Sequence, residues 1–118
     1  MMSKIGKTSL GLDENVEALL TYLVGWITGI IFLVLEKKSK FVRFHAMQST
    51  ITFLGFTVLS IILIPLDFIP FIGVLISLID WIIGIVAFII WIICMIKAYQ
   101  GEKFKLPIAG NLAERYTK

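Results

Sequence analysis

Few residues in this chain have the side chains and spacing for chemistry. Asp80 is the one ionisable residue well inside the longest apolar run, Phe71 to Ile96. A charged Asp at the bilayer centre costs roughly 2.5–3.5 kcal/mol on insertion scales, so such a residue faces protein or water. Gly73, Ser77, Asp80, Gly84, Ala87, Trp91, Cys94 and Ala98 recur every three or four positions and set it on a stripe of small or polar residues. Three readings stand: an ion or proton site, a protonated or hydrogen-bonded packing residue, or a marker of the membrane boundary. Thr57, Ser60 and Tyr22 are the polar side chains expected at its depth. His45 is the only histidine, and with no Cys, Asp or Glu close by in sequence it is a poor metal ligand. Cys94 is the only cysteine, so no intramolecular disulfide forms, and it reads as buried and inert. No Ser-His-Asp set shares a depth, and no second Asp is expected beside Asp80. The chain therefore reads as no enzyme, with no metal and no cofactor.

The elements that carry these residues are set by the solvent. Of the 118 residues 58% are hydrophobic and 16% charged, and the mean hydropathy is +0.96. Soluble domains carry about 25% charged residues, so the solvent here is lipid. The length suits one domain. The net charge of +3 and pI near 9.1 read as basic residues on the cytoplasmic side of a membrane, not as a nucleic-acid surface. The polar start, MMSKIGKTSLGLDENVE, has no short apolar core of a cleavable signal. The first apolar segment is expected to direct insertion and to stay.

Hydropathy and breakers predict an all-α integral membrane bundle of three transmembrane helices. Residues 1–12 are expected to be a mobile polar segment, 13–101 the membrane domain, and 102–118 a cytoplasmic tail packing under the bundle. Asp13 suits an N-cap. The first span is placed at 18–35, about 27 Å of helix against about 30 Å of hydrocarbon. Gly25 and Gly29 form a GxxxG pair that lets a neighbouring backbone approach; Gly84 is a third packing candidate. Ser39 caps a second helix that begins below the membrane surface and spans 47–64. Pro65 to Pro70 ends it in a short turn, and the third span covers 74–96. In the alternative, 71–79 lies flat at the outer interface. Gly101 suits the C′ position, and Asn111 with Glu114 resembles a capping box for one last turn.

Between the first two spans lies KKSKFVRFHAMQS, Lys37 to Ser49. With three spans, this hinge and the tail share nine of the eleven Lys and Arg residues, and the N-terminus has Lys4 and Lys7. The positive-inside rule then puts the protein in the cell membrane as a multi-pass protein with the N-terminus outside and the C-terminus cytoplasmic. Lys40, Phe41, Arg43, Phe44, His45, Gln48 and Gln100 fall on the cytoplasmic face as candidate contacts for a protein partner or for anionic lipid headgroups.

KSKFVRFHAMQS (Lys38–Ser49) and KAYQGEKFKLPIAGNLAE (Lys97–Glu114) resemble the Tic-twenty-like family of small prokaryotic membrane proteins of unknown function, distantly related to a chloroplast inner-envelope import component. The resemblance covers nearly the whole chain after the N-terminal segment. It implies a helical membrane fold and no activity. The leading expectation is a non-enzymatic membrane component that binds a protein partner or lipid. The alternative is a subunit of a small homo-oligomeric channel or transporter, with the resemblance pointing toward protein translocation.

Overall fold

The computed structural model describes residues 8–117; the expectation for residues 1–7 lies outside them. Five helices follow in order: α1 (Glu14–Leu23), α2 (Trp26–Leu35), α3 (Lys40–Asp67), α4 (Ile72–Tyr99) and α5 (Ala109–Tyr116). α3 and α4 have 28 residues each, about 42 Å of helix. Both are apolar and long enough to cross a membrane. They pair as an antiparallel hairpin that gives the molecule its 55 Å length against 23 and 21 Å across.

The span expected at 18–35 is not formed, so there are two candidate spans and not three. The chain breaks at Val24–Gly25 into two ten-residue helices, each about 15 Å long. Gly25 takes φ +61° and ψ −134°, a conformation closed to other residues. Carbonyls at the break take side-chain donors; Tyr22 O and Gly25 O also accept from the backbone, from Gly25 N at 3.1 Å and Gly29 N at 3.2 Å. Thr28 Oγ1 donates to Thr21 O, Trp91 Nε1 to Tyr22 O, and Ser49 Oγ to Gly25 O. A broken helix is tolerated at membrane depth only where protein covers its backbone in this way.

The contacts fix the direction of the pair. Asn15 Nδ2 donates to Tyr99 O at one end of α1, and Trp91 reaches Tyr22 near the other, so α1 runs antiparallel to α4. After the break the chain comes back along α3: Gly29 lies against Ala46 and Thr50, and Leu33 and Glu36 against Arg43. α1 and α2 therefore enter and leave at the same end. This overturns the expectation that the N-terminus lies across the membrane from the hinge, since Ser9 sits on Glu36, Lys37 and Lys38.

Ser39 caps α3 by accepting from Val42 N. The helix does not stop at Pro65 but continues to Asp67; proline in the last turn removes a single hydrogen bond. In the turn Phe71 has φ 66° and Ile72 N bonds Pro70 O at 2.7 Å, a strained three-residue turn. Gly73 lies so close that a Cβ there would be 2.3 Å from Asp67 O. From Ile72 onward α4 is continuous, so 71–79 does not form a separate surface segment. At its other end Gly101 (φ 81°) closes the helix. Gly101 N bonds Ala98 O and Glu102 N bonds Lys97 O, the double bond pattern of a Schellman ending.

The core clusters at the end away from this turn. Ala18, Tyr22, Val42, Phe53, Cys94, Ala98, Leu106 and Ala109 pack together there. Towards the turn, α3 and α4 have only each other, and Val58, Ile62, Leu75, Leu78, Ile82 and Ile85 are exposed, as side chains that face acyl chains would be.

Candidate functional site

Tyr22, His45 and Gln48 are fully buried where α1, α3 and the returning tail meet. A carbonyl can only accept, so His45 Nε2 carries the hydrogen and donates to Glu102 O at 3.0 Å. His45 Nδ1 is then free to accept from Tyr22 OH at 2.8 Å. Tyr22 OH in turn accepts from Gln48 Nε2 at 2.9 Å, and the same amide donates to Phe104 O at 2.8 Å. Gln48 Oε1 accepts from Leu106 N at 2.9 Å. Every polar atom of the three side chains has a partner, and three of those partners are backbone groups of the tail. Phe41 and Phe44 set their edges against the imidazole at 4.6 and 5.3 Å between ring centres. This constellation is a lock that holds 102–106 onto the bundle.

Arg43 is half-buried, and its Nη1 donates to Leu33 O and Glu36 O at 2.8 Å each. It supplies donors to carbonyls at the C-terminus of α2, where the helix dipole favours a cation. Lys103 Nζ sits 4.8 Å above the Phe44 ring. Of the expected contact residues, the structure brings Phe41, Phe44, His45 and Gln48 into one inward-facing group, while Arg43 turns to α2. Lys40 and Gln100 are exposed. Tyr22 lies with His45, not with Asp80. The sequence reading missed Glu102, Phe104 and Leu106 as partners because two of the three contribute only carbonyls, which carry no residue-type signal.

The packing glycines separate. A Cβ on Gly29 would lie 2.7 Å from Thr50 Oγ1 and 2.9 Å from Ala46 O, so α2 and α3 touch there. Gly25 makes the break. Gly84 has nothing within 4 Å of its Cβ position.

Asp80 is half-buried on α4, and Asp67 faces the same cleft from across the hairpin, a proximity not expected from the sequence because Asp67 reads as part of the turn. Both line a cleft of about 620 Å3 with Thr57, Ser60 and Gly84, floored by Val24–Trp26 where the α1–α2 pair stops. Thr57 Oγ1 donates to its own helix at Phe53 O.

Comparison with known proteins gives the family. The chain is 59% identical to a UPF0132 membrane protein of Methanocaldococcus jannaschii, over 97% of each chain. It is 58% identical to a UPF0132 membrane protein of Archaeoglobus fulgidus, over 88% of this chain and 95% of the relative. No solved structure matches. The model of the magnetosome magnetite crystal formation protein family, MamF_MmsF, matches residues 13–113. With that match and relatives of this identity, the chain belongs to this family of small membrane proteins.

Proposed function

We propose that the protein is a non-enzymatic membrane component that works through one face, with α3 and α4 crossing the bilayer and the α1–α2 pair re-entering from the side it came from. That face binds anionic lipid headgroups. One observation carries the reading: Lys37, Lys38, Lys40, Arg43, Lys97, Lys103, Lys105 and Arg115 all lie at the end that holds Ser39 and Tyr99, and no Lys or Arg lies in the Phe68–Phe71 turn. By the positive-inside rule this end is cytoplasmic, and the described start of the chain, Thr8 onward, lies there too. His45 and Gln48 serve the reading by holding Lys103 and Lys105 against the bundle.

Thiol labelling tests the orientation. Leu10→Cys, Lys38→Cys and Tyr116→Cys are expected to react with a membrane-impermeant maleimide only after cells are opened, and Phe68→Cys in intact cells. Leu10 and Lys38 reacting from opposite sides would sink the re-entrant arrangement. Lipid binding is tested by unfolding in neutral detergent with and without anionic phospholipid. The lipid is expected to stabilise the wild type, and replacing Lys37, Lys38 and Lys40 together by Gln to remove about 3 kcal/mol of that gain, on the order of 1 kcal/mol per residue. An equal gain in the triple variant would defeat the reading.

A subunit of an oligomeric channel or transporter is the second reading, favoured by the cleft beside Asp80. Ion or proton flux through reconstituted vesicles that Asp80→Asn alters would put it first. The resemblance to Tic-twenty-like proteins adds no activity to either reading.

A further inference from the structure

We propose that Glu17 and Glu36 form a buried site that holds one proton between two carboxyls, and that this proton latches residues 8–12 across the open end of the α1–α2 pair. Both side chains are fully buried, and consecutive residues bring them together: Thr8 bonds Glu17 and Ser9 bonds Glu36, so that each acts on the other. Two carboxylates in contact out of water cannot both stay charged. Among the described residues no donor reaches Glu17 Oε2, so the hydrogen joining it to Glu36 is its own. Glu36 is the charged member. It accepts from Ser9 N at 3.1 Å to each oxygen, from Lys38 N at 2.9 Å and from Ser39 N at 2.8 Å. Those amide hydrogens ring its oxygens and oppose a metal cation, which makes a proton the ligand that fits.

The same two side chains hold the strap. Thr8 Oγ1 donates to Glu17 Oε1, and Ser9 Oγ accepts from Lys37 N and Lys38 N at 3.0 Å. Thr8 N bonds Leu12 O and Gly11 N bonds Thr8 O, which closes the strap on itself. The charges that act on Glu17 are those of Glu36, from the α2–α3 connection, and Glu14, one turn back on α1. Burial and then the Glu36 contact push Glu17 up to about 7 from 4.5. Burial alone would raise Glu36, but the hydrogen bonds from Glu17 and from the Ser39, Ser9 and Lys38 amides outweigh it and bring Glu36 down to about 2.

The two shifts act in opposite directions with pH. The raised group contributes stability that is full below 4.5 and is lost as pH climbs through about 7. The lowered group contributes stability that is full above 4.5 and is lost as pH falls towards about 2. The strap is therefore firmest near pH 4.5 and loosens progressively as the pH rises to about 7.

Amide hydrogen exchange at Ser9 in the full chain in detergent reads this release. Corrected for intrinsic base catalysis, wild-type protection is expected to be greatest near pH 4.5, to step down roughly tenfold per unit from there to about pH 7, and to level off above it. Glu17→Gln keeps a neutral donor facing Glu36 and is expected to remove the step. A wild-type profile with no step, or a Glu17→Gln profile stepping at the same pH, overturns the proposal. Infrared spectra of the wild type give a second reading that needs no variant. A protonated-carboxyl band at pH 6 that titrates away near neutrality supports the site, and its absence at pH 6 overturns it.

Discussion

A chain ended after Gly101 is expected to lose about 4 kcal/mol or more of stability in detergent, read as a drop in unfolding midpoint. The truncation takes away the buried Leu106, at roughly 1.5–3 kcal/mol for a fully buried large apolar side chain, together with buried Ala109 and Ala113. It also removes the three hydrogen bonds that His45 and Gln48 make to the tail, at about 0.5–1.5 kcal/mol each. Two companion variants locate the effect. Glu102→Ala breaks the exposed Lys97–Glu102 pair but leaves the Glu102 carbonyl that His45 uses, and is expected to change stability by under about 1 kcal/mol. Gln48→Ala in the full chain is expected to fall between the two. A truncated chain with an unchanged midpoint would mean that the lock holds nothing.

Gly29→Val is expected to lift α2 off α3 at a cost of about 3 kcal/mol, the upper part of the usual range for overpacking. Two of the three atoms nearest the new Cβ, Ala46 O at 2.9 Å and Thr50 N at 3.0 Å, are backbone and cannot step aside. Arg43 would lose its hold on Leu33 and Glu36 as α2 moved. Gly84→Ala is the matched control: with nothing within 4 Å of its Cβ, it is expected to be neutral or to gain up to about 1 kcal/mol of helix propensity. Thermal unfolding of both variants in one detergent, with limited proteolysis of α2, separates them. Equal effects would show that Gly29 is not a contact.

Hydropathy was a good guide to α3 and α4, because a long apolar helix needs no information beyond its own residues. Ser39 and Gly101 were legible for the same reason: a cap and a C′ glycine act within a few residues of themselves. The first apolar run misled because hydropathy counts residues and is blind to direction. Gly25 and Gly29 read as a packing pair, and Gly29 is one, but Gly25 is a break whose carbonyls are met by Thr28 nearby and by Ser49 and Trp91 far along the chain. No local pattern reports bonds over such separations. The basic, aromatic stretch stood out by composition, yet what its His45 and Gln48 do depends on tail carbonyls that any residue type supplies. Glu17 and Glu36 lie nineteen positions apart; only the return of α2 beside α1 makes them a pair.

The break at Gly25 also sets an order of biogenesis. Neither α1 nor α2 is long enough to anchor the chain, and Ser49 of α3 and Trp91 of α4 add donors to the carbonyls between them. Had this pair gone into lipid first, it would have entered without the Ser49 and Trp91 donors and without the protein that covers its break. The α3–α4 hairpin has no such debt and a turn without a single basic residue to drag across. In the arrangement proposed above, targeting and translocation belong to the second half of the chain. The first half is then a late-docking wedge, fitted from the side on which it was synthesised once its receptor stands in the bilayer.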